Sequence, residues 1–398
     1  MLAVVGTRPE AIKMAPVLHA LHNGGGTLEC RLALTGQHST LVDRVLDVFA
    51  LEPAYDLGIM REGQTLYDVA EGCMEGLRGA VRDFRPDLLL VQGDTATVFF
   101  ASLVAFFEKV RVGHVEAGLR SGDKWSPYPE EIFRRLADVL SDLYFAPTPT
   151  ARENLLREGV SPERIFVTGN TVVDALHAIA AQQREPENAV LREVLASGDR
   201  LVLLTAHRRE SFGEPLREVF RAVCELADRA APDAGGRGLR ILYPVHPNPR
   251  VSGPAHELLA GHSRIHLVEP LDYFDLVAAL RHAALVLTDS GGIQEEAPTF
   301  GAPVLVLRDV TERPEGVAAG VAALVGTDSE TIVRESLRLL EHAASGQGRA
   351  PRNPYGDGRA GERIADIIRV ALVGGKRRTT DWKGPDDRAG GQAEKAGG

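Results

Sequence analysis

Short apolar runs alternate with longer amphipathic stretches along most of the chain. Leu2–Gly6, Arg31–Thr35, Leu88–Gln92, Arg111–Val115 and Leu143–Ala146 form a first series. The pattern begins again with Leu201–Thr205, Ile241–Val245, Ile265–Val268, Leu285–Thr288 and Val304–Leu307. Such near-continuous runs suit strands covered on both faces of a parallel sheet. The stretches between them have helical periodicity, so βαβ units are predicted. Two series predict an α/β protein of two Rossmann-type, doubly wound domains with a cleft between them. The break is expected at Thr168-Gly169-Asn170, giving domains 1–169 and 170–357. Thr171 and Asp174 have the spacing of a capping box that starts a helix. Ala360–Val373 reads as a last helix. Residues 374–398, poor in apolar side chains, read as a disordered tail.

Composition narrows the function classes. A length of 398 residues fits two domains. The net charge of −10 argues against nucleic acid or an anionic membrane as a partner. Cys30, Cys73 and Cys224 are scattered without metal spacing and suit a reducing compartment. Met1 leads straight into Leu-Ala-Val-Val-Gly, so no signal peptide is expected. No apolar stretch is long enough to span a bilayer. A soluble, cytoplasmic protein is expected.

The chemistry lies where the predicted strands end, because strand carboxyl ends line the ligand crevice of an open α/β sheet. Gly93-Asp94-Thr95 follows one run, and Glu116-Ala117-Gly118-Leu119-Arg120 follows the next. Pro129-Glu130-Glu131 comes soon after. If the runs are parallel strands, Asp94, Glu116 and Glu130 converge. Carboxylates crowded in a partly dry cleft have their pKa values pushed up and apart, which makes acid and base partners. The plainer reading of each is a helix cap or a solvated charge.

Gly6-Thr7-Arg8-Pro9-Glu10-Ala11-Ile12-Lys13 places a helix start directly after the first strand, with capping-box spacing at Thr7 and Glu10. Its amides and Arg8 suit an anion. Thr288-Asp289-Ser290-Gly291-Gly292-Ile293-Gln294-Glu295-Glu296 is the counterpart in the second half. There, glycines admit a phosphate close to the backbone and Ser290 adds a hydroxyl. Glu296, a turn later, suits ribose hydroxyls. His207-Arg208-Arg209-Glu210 and His246 follow strands of the second series, and cations there suit a diphosphate. Neither a dinucleotide fingerprint nor a nucleophile elbow is present, and no His, Asp and Glu set has metal spacing.

These segments, with Gly113-His114-Val115-Glu116-Ala117-Gly118-Leu119-Arg120, Thr311-Glu312-Arg313-Pro314-Glu315 and Asn353-Pro354-Tyr355-Gly356-Asp357-Gly358, resemble the bacterial non-hydrolysing UDP-N-acetylglucosamine 2-epimerases. The resemblance runs from Met1 to about Val373. It implies a GT-B-like pair of Rossmann-type domains, a last helix (358–373) crossing back onto the first, a homodimer, and no cofactor or metal. It implies that UDP leaves C1 as a base takes the C2 proton, giving a 2-acetamidoglucal. Re-addition of UDP with reprotonation from the other face gives UDP-N-acetylmannosamine. Opposite faces need two differently placed acid/base groups. On matching positions, Asp94, Glu116 and Glu130 are the acid/base carboxylates and His207 acts on the leaving UDP. Arg8, Lys13, Arg134, Arg208, His246, Leu276, Ser290, Gly291, Gly292, Glu296 and Arg313 hold the nucleotide sugar.

The chain departs from the family's pattern at several positions. Phe133 stands where a polar residue usually precedes the Arg, and Leu276 where an aromatic packs the uracil. Gln37-His38-Ser39-Thr40-Leu41 and Gly72 replace longer polar side chains of a second, activating site. Losing those charge-assisted bonds implies weak or absent activation by UDP-N-acetylglucosamine. The same losses lend weight to a hydrolysing branch that releases free N-acetylmannosamine. The motifs are also compatible, less well, with a GT-B glycosyltransferase or a degenerate sugar-nucleotide binder.

Overall fold

The computed structural model describes residues 1–24, 28–36, 40–59, 61, 63–233, 235–344 and 353–385. The chain divides into two compact units. One is Met1–Ala175 together with the chain from Tyr355 onward, and the other is Leu176–Pro354.

The first unit holds a seven-stranded sheet: β1 Leu2–Val5, β2 Arg31–Leu34, β3 Tyr55–Asp56, β4 Leu88–Gln92, β5 Arg111–Val115, β6 Leu143–Ala146 and β7 Ile165–Val167. The order is β3-β2-β1-β4-β5-β6-β7, all parallel. The second unit holds β8 Arg200–Thr205, β9 Leu239–Pro244, β10 Ile265–Val268, β11 Ala283–Thr288, β12 Val304–Val306 and β13 Ala322–Leu324. These pair in parallel in the order β10-β9-β8-β11-β12-β13. Both orders are those of a doubly wound fold. All ten apolar runs of the sequence are strands. The strands β3, β7 and β13 were not among those runs; each is only two or three residues long and lies at a sheet edge, too short to stand out as a run.

Burial explains the central strands. All five residues of β4 are buried. Leu89 and Val91 join Leu77, Val81, Val98 and Ala101 in a core between sheet and helices. In the second unit Val202, Leu204, Leu285 and Leu287 pack with Phe220 and Val223. Local signals set helix ends as well. Thr65 and Asp68 form a reciprocal capping box at the start of Leu66–Phe84, which stops at Arg85 with φ +51°.

Two expectations are corrected. Asp174 does not cap its own helix, Thr171–Ala181. Its carboxylate accepts the amides of Ala360 (3.1 Å) and Gly361 (2.8 Å), the orphan donors at the start of helix Ala360–Val373. Burial pushes this carboxyl up to about 6. The tail is also not disordered from Gly374. Asp366 accepts the amides of Arg378 (2.7 Å) and Thr379 (2.8 Å), and the Trp382 amide donates to the Val167 carbonyl of edge strand β7 (2.8 Å). Trp382 is 3% exposed, so one aromatic side chain supplies the apolar burial that the rest of the segment lacks. Residues 386–398 lie outside the described residues. No helix of the described residues is long and apolar enough to cross a membrane.

Candidate functional site

Each sheet reverses its winding direction once, between β1 and β4 in the first unit and between β8 and β11 in the second. Ligands of such sheets bind beyond the strand ends at that switch point. The residues to which the sequence motifs point leave these strands or their immediate neighbours.

In the first unit β4 and β5 pair so that Gln92 lies opposite Val115. Asp94 and Glu116 therefore emerge just past matched strand ends. Glu116 has φ +69°, a left-handed conformation that costs a non-glycine residue on the order of 1 kcal/mol and marks functional turns. Its side chain is 6% exposed. Lys13, from the helix Arg8–Asn23, donates to both of its oxygens at 2.8 Å, and the Gln92 amide donates to the same carboxylate. Asp94 is ion-paired with Arg134, which also reaches Glu131 at 3.2 Å. The carboxylates were expected to act on one another; instead two of them each pair with a cation.

Glu130 opens the helix Glu130–Leu140 and is half-buried. Its neighbour Glu131 is the buried one and accepts the Ser121 amide at 3.0 Å. Phe133 stacks on Phe99 with ring centroids 5.5 Å apart, so it belongs to the packing of two helices. Arg8 forms no ion pair with any described residue. Gly6 has no room for a Cβ, which would come within 2.2 Å of the Thr97 hydroxyl. Glu10 does not complete a capping box, because Thr7 makes no cap bond to the helix. The Glu10 carboxyl instead accepts the Gly6 amide at 2.6 Å and the Thr7 hydroxyl at 3.0 Å. Burial pushes it up to about 7, against those bonds.

In the second unit Thr205 pairs with Thr288, and their hydroxyls lie 2.6 Å apart. Asp289, 1% exposed, accepts the amides of His207 (2.6 Å) and Arg208 (2.7 Å), so it ties the two strand ends together. His207 stacks on His246 with centroids 5.4 Å apart and near-parallel rings. Its Nδ1 is 3.5 Å from Asp289. Burial lowers the His207 pKa, helped by His246 and Arg208, and Asp289 only partly opposes the fall. Ser290 occupies the N-cap position of the short helix Gly291–Glu296 without a side-chain cap bond, and the helix ends on Glu296. Neither Gly291 nor Gly292 has positive φ. At Gly291 a Cβ would sit 2.9 Å from the Glu312 carboxylate, which would have to move. Arg208 pairs with Glu312 (3.3 Å) and Arg313 with the buried Glu295 (2.5 Å). Burial alone would raise Glu312, but Arg313 and Arg308 hold it at about 2. Leu276 is half-buried on helix Tyr273–His282 and packs on the second unit's core.

Of the second-site positions, Gln37 and His38 lie outside the described residues, and Thr40 opens the helix Thr40–Val48. Gly72 is packed so that a Cβ would meet Ile59 at 2.5 Å. Sequence motifs gave no role to Gln92, His114, Asp138, Asp289, Glu295 or Glu312. His114, Asp289, Glu295 and Glu312 lie inside the quoted motifs, while Gln92 and Asp138 carry no signal of their own, since a buried partner leaves no periodicity.

Comparison with known proteins agrees with this geometry. The family described as UDP-N-acetylglucosamine 2-epimerase matches residues 20–369. The UDP-N-acetylglucosamine 2-epimerase of Salmonella typhimurium is 46% identical over 380 residues, covering 94% of this chain and 99% of the relative. The UDP-GlcNAc 2-epimerase of Neisseria meningitidis, solved with UDP-GlcNAc bound, superposes with a TM-score of 0.80 at 40% identity, over 94% of this chain and 99% of that one. Staphylococcus aureus MnaA, solved with UDP, gives 0.83 at 42%, over 96% and 99%. With two doubly wound units, the strand-end carboxylates and matches of this extent, the chain belongs to the UDP-N-acetylglucosamine 2-epimerase family.

Proposed function

We propose that this chain interconverts UDP-N-acetylglucosamine and UDP-N-acetylmannosamine by eliminating UDP and adding it back. The observation that carries the reading is Glu116, a dry carboxylate in a strained turn, held in place by Lys13 beside the Asp94–Arg134 pair. Abstraction of the C2 proton needs a base fixed in position, and reprotonation from the other face needs a second group. Asp94, Glu116 and Glu130 supply these. As UDP departs, C1 gains oxocarbenium character and charge grows on the diphosphate. In the second unit the amides around Ser290, Gly291 and Gly292, with Arg208 and the neutral-leaning His207, meet that charge. Glu296 takes the ribose hydroxyls and Leu276 the uracil face. Arg8 and Lys13 complete the anion contacts. No metal or cofactor is needed for these steps.

A proton NMR time course with UDP-N-acetylglucosamine in D₂O tests this. A stable mixture with UDP-N-acetylmannosamine, deuterated at C2, is the expected result. Free N-acetylmannosamine and UDP without returning nucleotide sugar would place the chain in the hydrolysing branch.

We also propose a homodimer. Phe106 and Phe107 are each 60% exposed and Val139 is 77% exposed, on the adjacent helices Ala96–Phe107 and Glu130–Leu140. Such an apolar face suits a second copy. Light scattering should give twice the chain mass, and Phe106→Glu with Val139→Glu should give the monomer. Three free cysteines suit the cytoplasm.

A further inference from the structure

His114 is fully buried on β5 and has an acceptor at each ring nitrogen. Nε2 donates to the Gly93 carbonyl at 2.7 Å. A carbonyl only accepts, so Nε2 carries a proton. Nδ1 faces Asp138 Oδ1 at 2.7 Å. The other oxygen of Asp138 accepts from Arg120 at 2.7 Å and from the Gly118 amide at 3.3 Å, which keeps the carboxylate ionised. Nδ1 therefore carries the second proton.

The positions of these partners matter for the site. Gly93 immediately precedes Asp94. Gly118 lies in the turn that begins with Glu116. Asp138 lies on the helix that starts at Glu130. Each segment carrying a proposed acid/base carboxylate is thus tied to one buried ion pair. Arg120 continues the chain of charges to Glu158 at 2.7 Å, and the Tyr144 hydroxyl donates to the Asp138 carbonyl at 2.8 Å.

We propose that His114 is a permanent buried imidazolium and, with Asp138 and Arg120, a positioning cluster that holds the Asp94, Glu116 and Glu130 segments in register for proton transfer. Burial works against charge on His114, and Asp138 and the Gly93 carbonyl outweigh it, so its pKa is raised. Burial likewise opposes charge on Asp138, and His114 and Arg120 outweigh that too, so its pKa is lowered. The catalytic part of this inference rests on the epimerase reading; the charge state does not.

The first test is long-range proton–nitrogen NMR of the enzyme labelled at histidine, from pH 6 to 9. One imidazole protonated at both nitrogens throughout, and lost in His114→Gln, is expected. A neutral or titrating ring at His114 would overturn the proposal whatever the reaction. The second test is steady-state kinetics of His114→Gln and Asp138→Asn with UDP-N-acetylglucosamine. The expected kcat falls about tenfold or more, as misplacement of reacting groups does, with KM within about twofold. Unchanged kcat, or a change confined to KM, in whichever variant folds would overturn the positioning role. An inactive wild-type enzyme would sink the epimerase reading, while the NMR would still judge the ion pair.

Discussion

The two units carry the same winding and opposite chemistry. Beyond β4 and β5 the first unit offers carboxylates, and Glu116 and Asp94 are each matched to a cation of that unit. Beyond β8 and β11 the second unit offers amides, histidines and arginines. There the buried acids Asp289 and Glu295 tie backbone and guanidinium in place. The first arrangement pairs two of the proposed proton-transfer carboxylates with cations, Glu116 among them in a dry turn. The second presents donors to an anion and keeps its half-buried histidine tending to neutral. A doubly wound sheet fixes where ligands meet the protein, and the few residues after each strand decide what happens there.

The sharpest way to break the comparison is to remove a carboxylate. Glu116→Gln or Asp94→Asn should cut kcat on the order of a hundredfold or more, the usual worth of an acid/base group, with circular dichroism unchanged. Wild-type turnover in both would remove proton transfer from the first unit. Lys13→Met should follow, at about tenfold in kcat. Without Lys13 the Glu116 carboxylate loses two of the bonds that position it, so kcat should fall while circular dichroism stays unchanged.

A smaller effect is expected at His207. Its folded pKa is below that of the unfolded histidine, about 6.5, so the unfolded state takes up a proton first as pH falls. That contribution to stability is present above about pH 6.5 and is lost below it. His207→Gln should flatten the decline in melting temperature between pH 6.5 and 5 and slow turnover by about tenfold. An unchanged slope would separate His207 from the acid sensitivity.

The smallest effect belongs to Glu10, which bears on stability alone. Its folded pKa of about 7 exceeds the unfolded value of 4.5, so the folded state holds the extra proton between the two. Stability should therefore decline as pH rises from about 4.5 through 7. Glu10→Gln preserves the bonds to Gly6 and Thr7 and should remove that slope, raising the melting temperature at pH 8. An unaltered slope would mean that the buried carboxyl is not its source.

The central strands were legible because burial on both faces of a parallel sheet demands consecutive apolar residues, as in Leu88–Val91. Asp94, Glu116, His207 and Ser290 were legible because they follow such runs directly. Chain order also places Gly291 and Gly292 at a turn, where a positive φ is the ordinary need for glycine. Position 291 has no positive φ; instead the Glu312 carboxylate crowds it, which only the fold shows. Asp174 looks like a cap because spacing cannot tell which helix a carboxylate serves. Its helix partner lies 186 residues away along the chain.

By itself, the sequence determined the α/β class, the two series of strands and the strand-end residues, because these follow from local periodicity and chain order. The tertiary structure decided the partners: Lys13 with Glu116, Arg134 with Asp94, His114 between Gly93 and Asp138, and Trp382 on the edge of β7. Each joins residues separated along the chain, and the charge state of a buried group depends on its neighbours in space rather than in sequence.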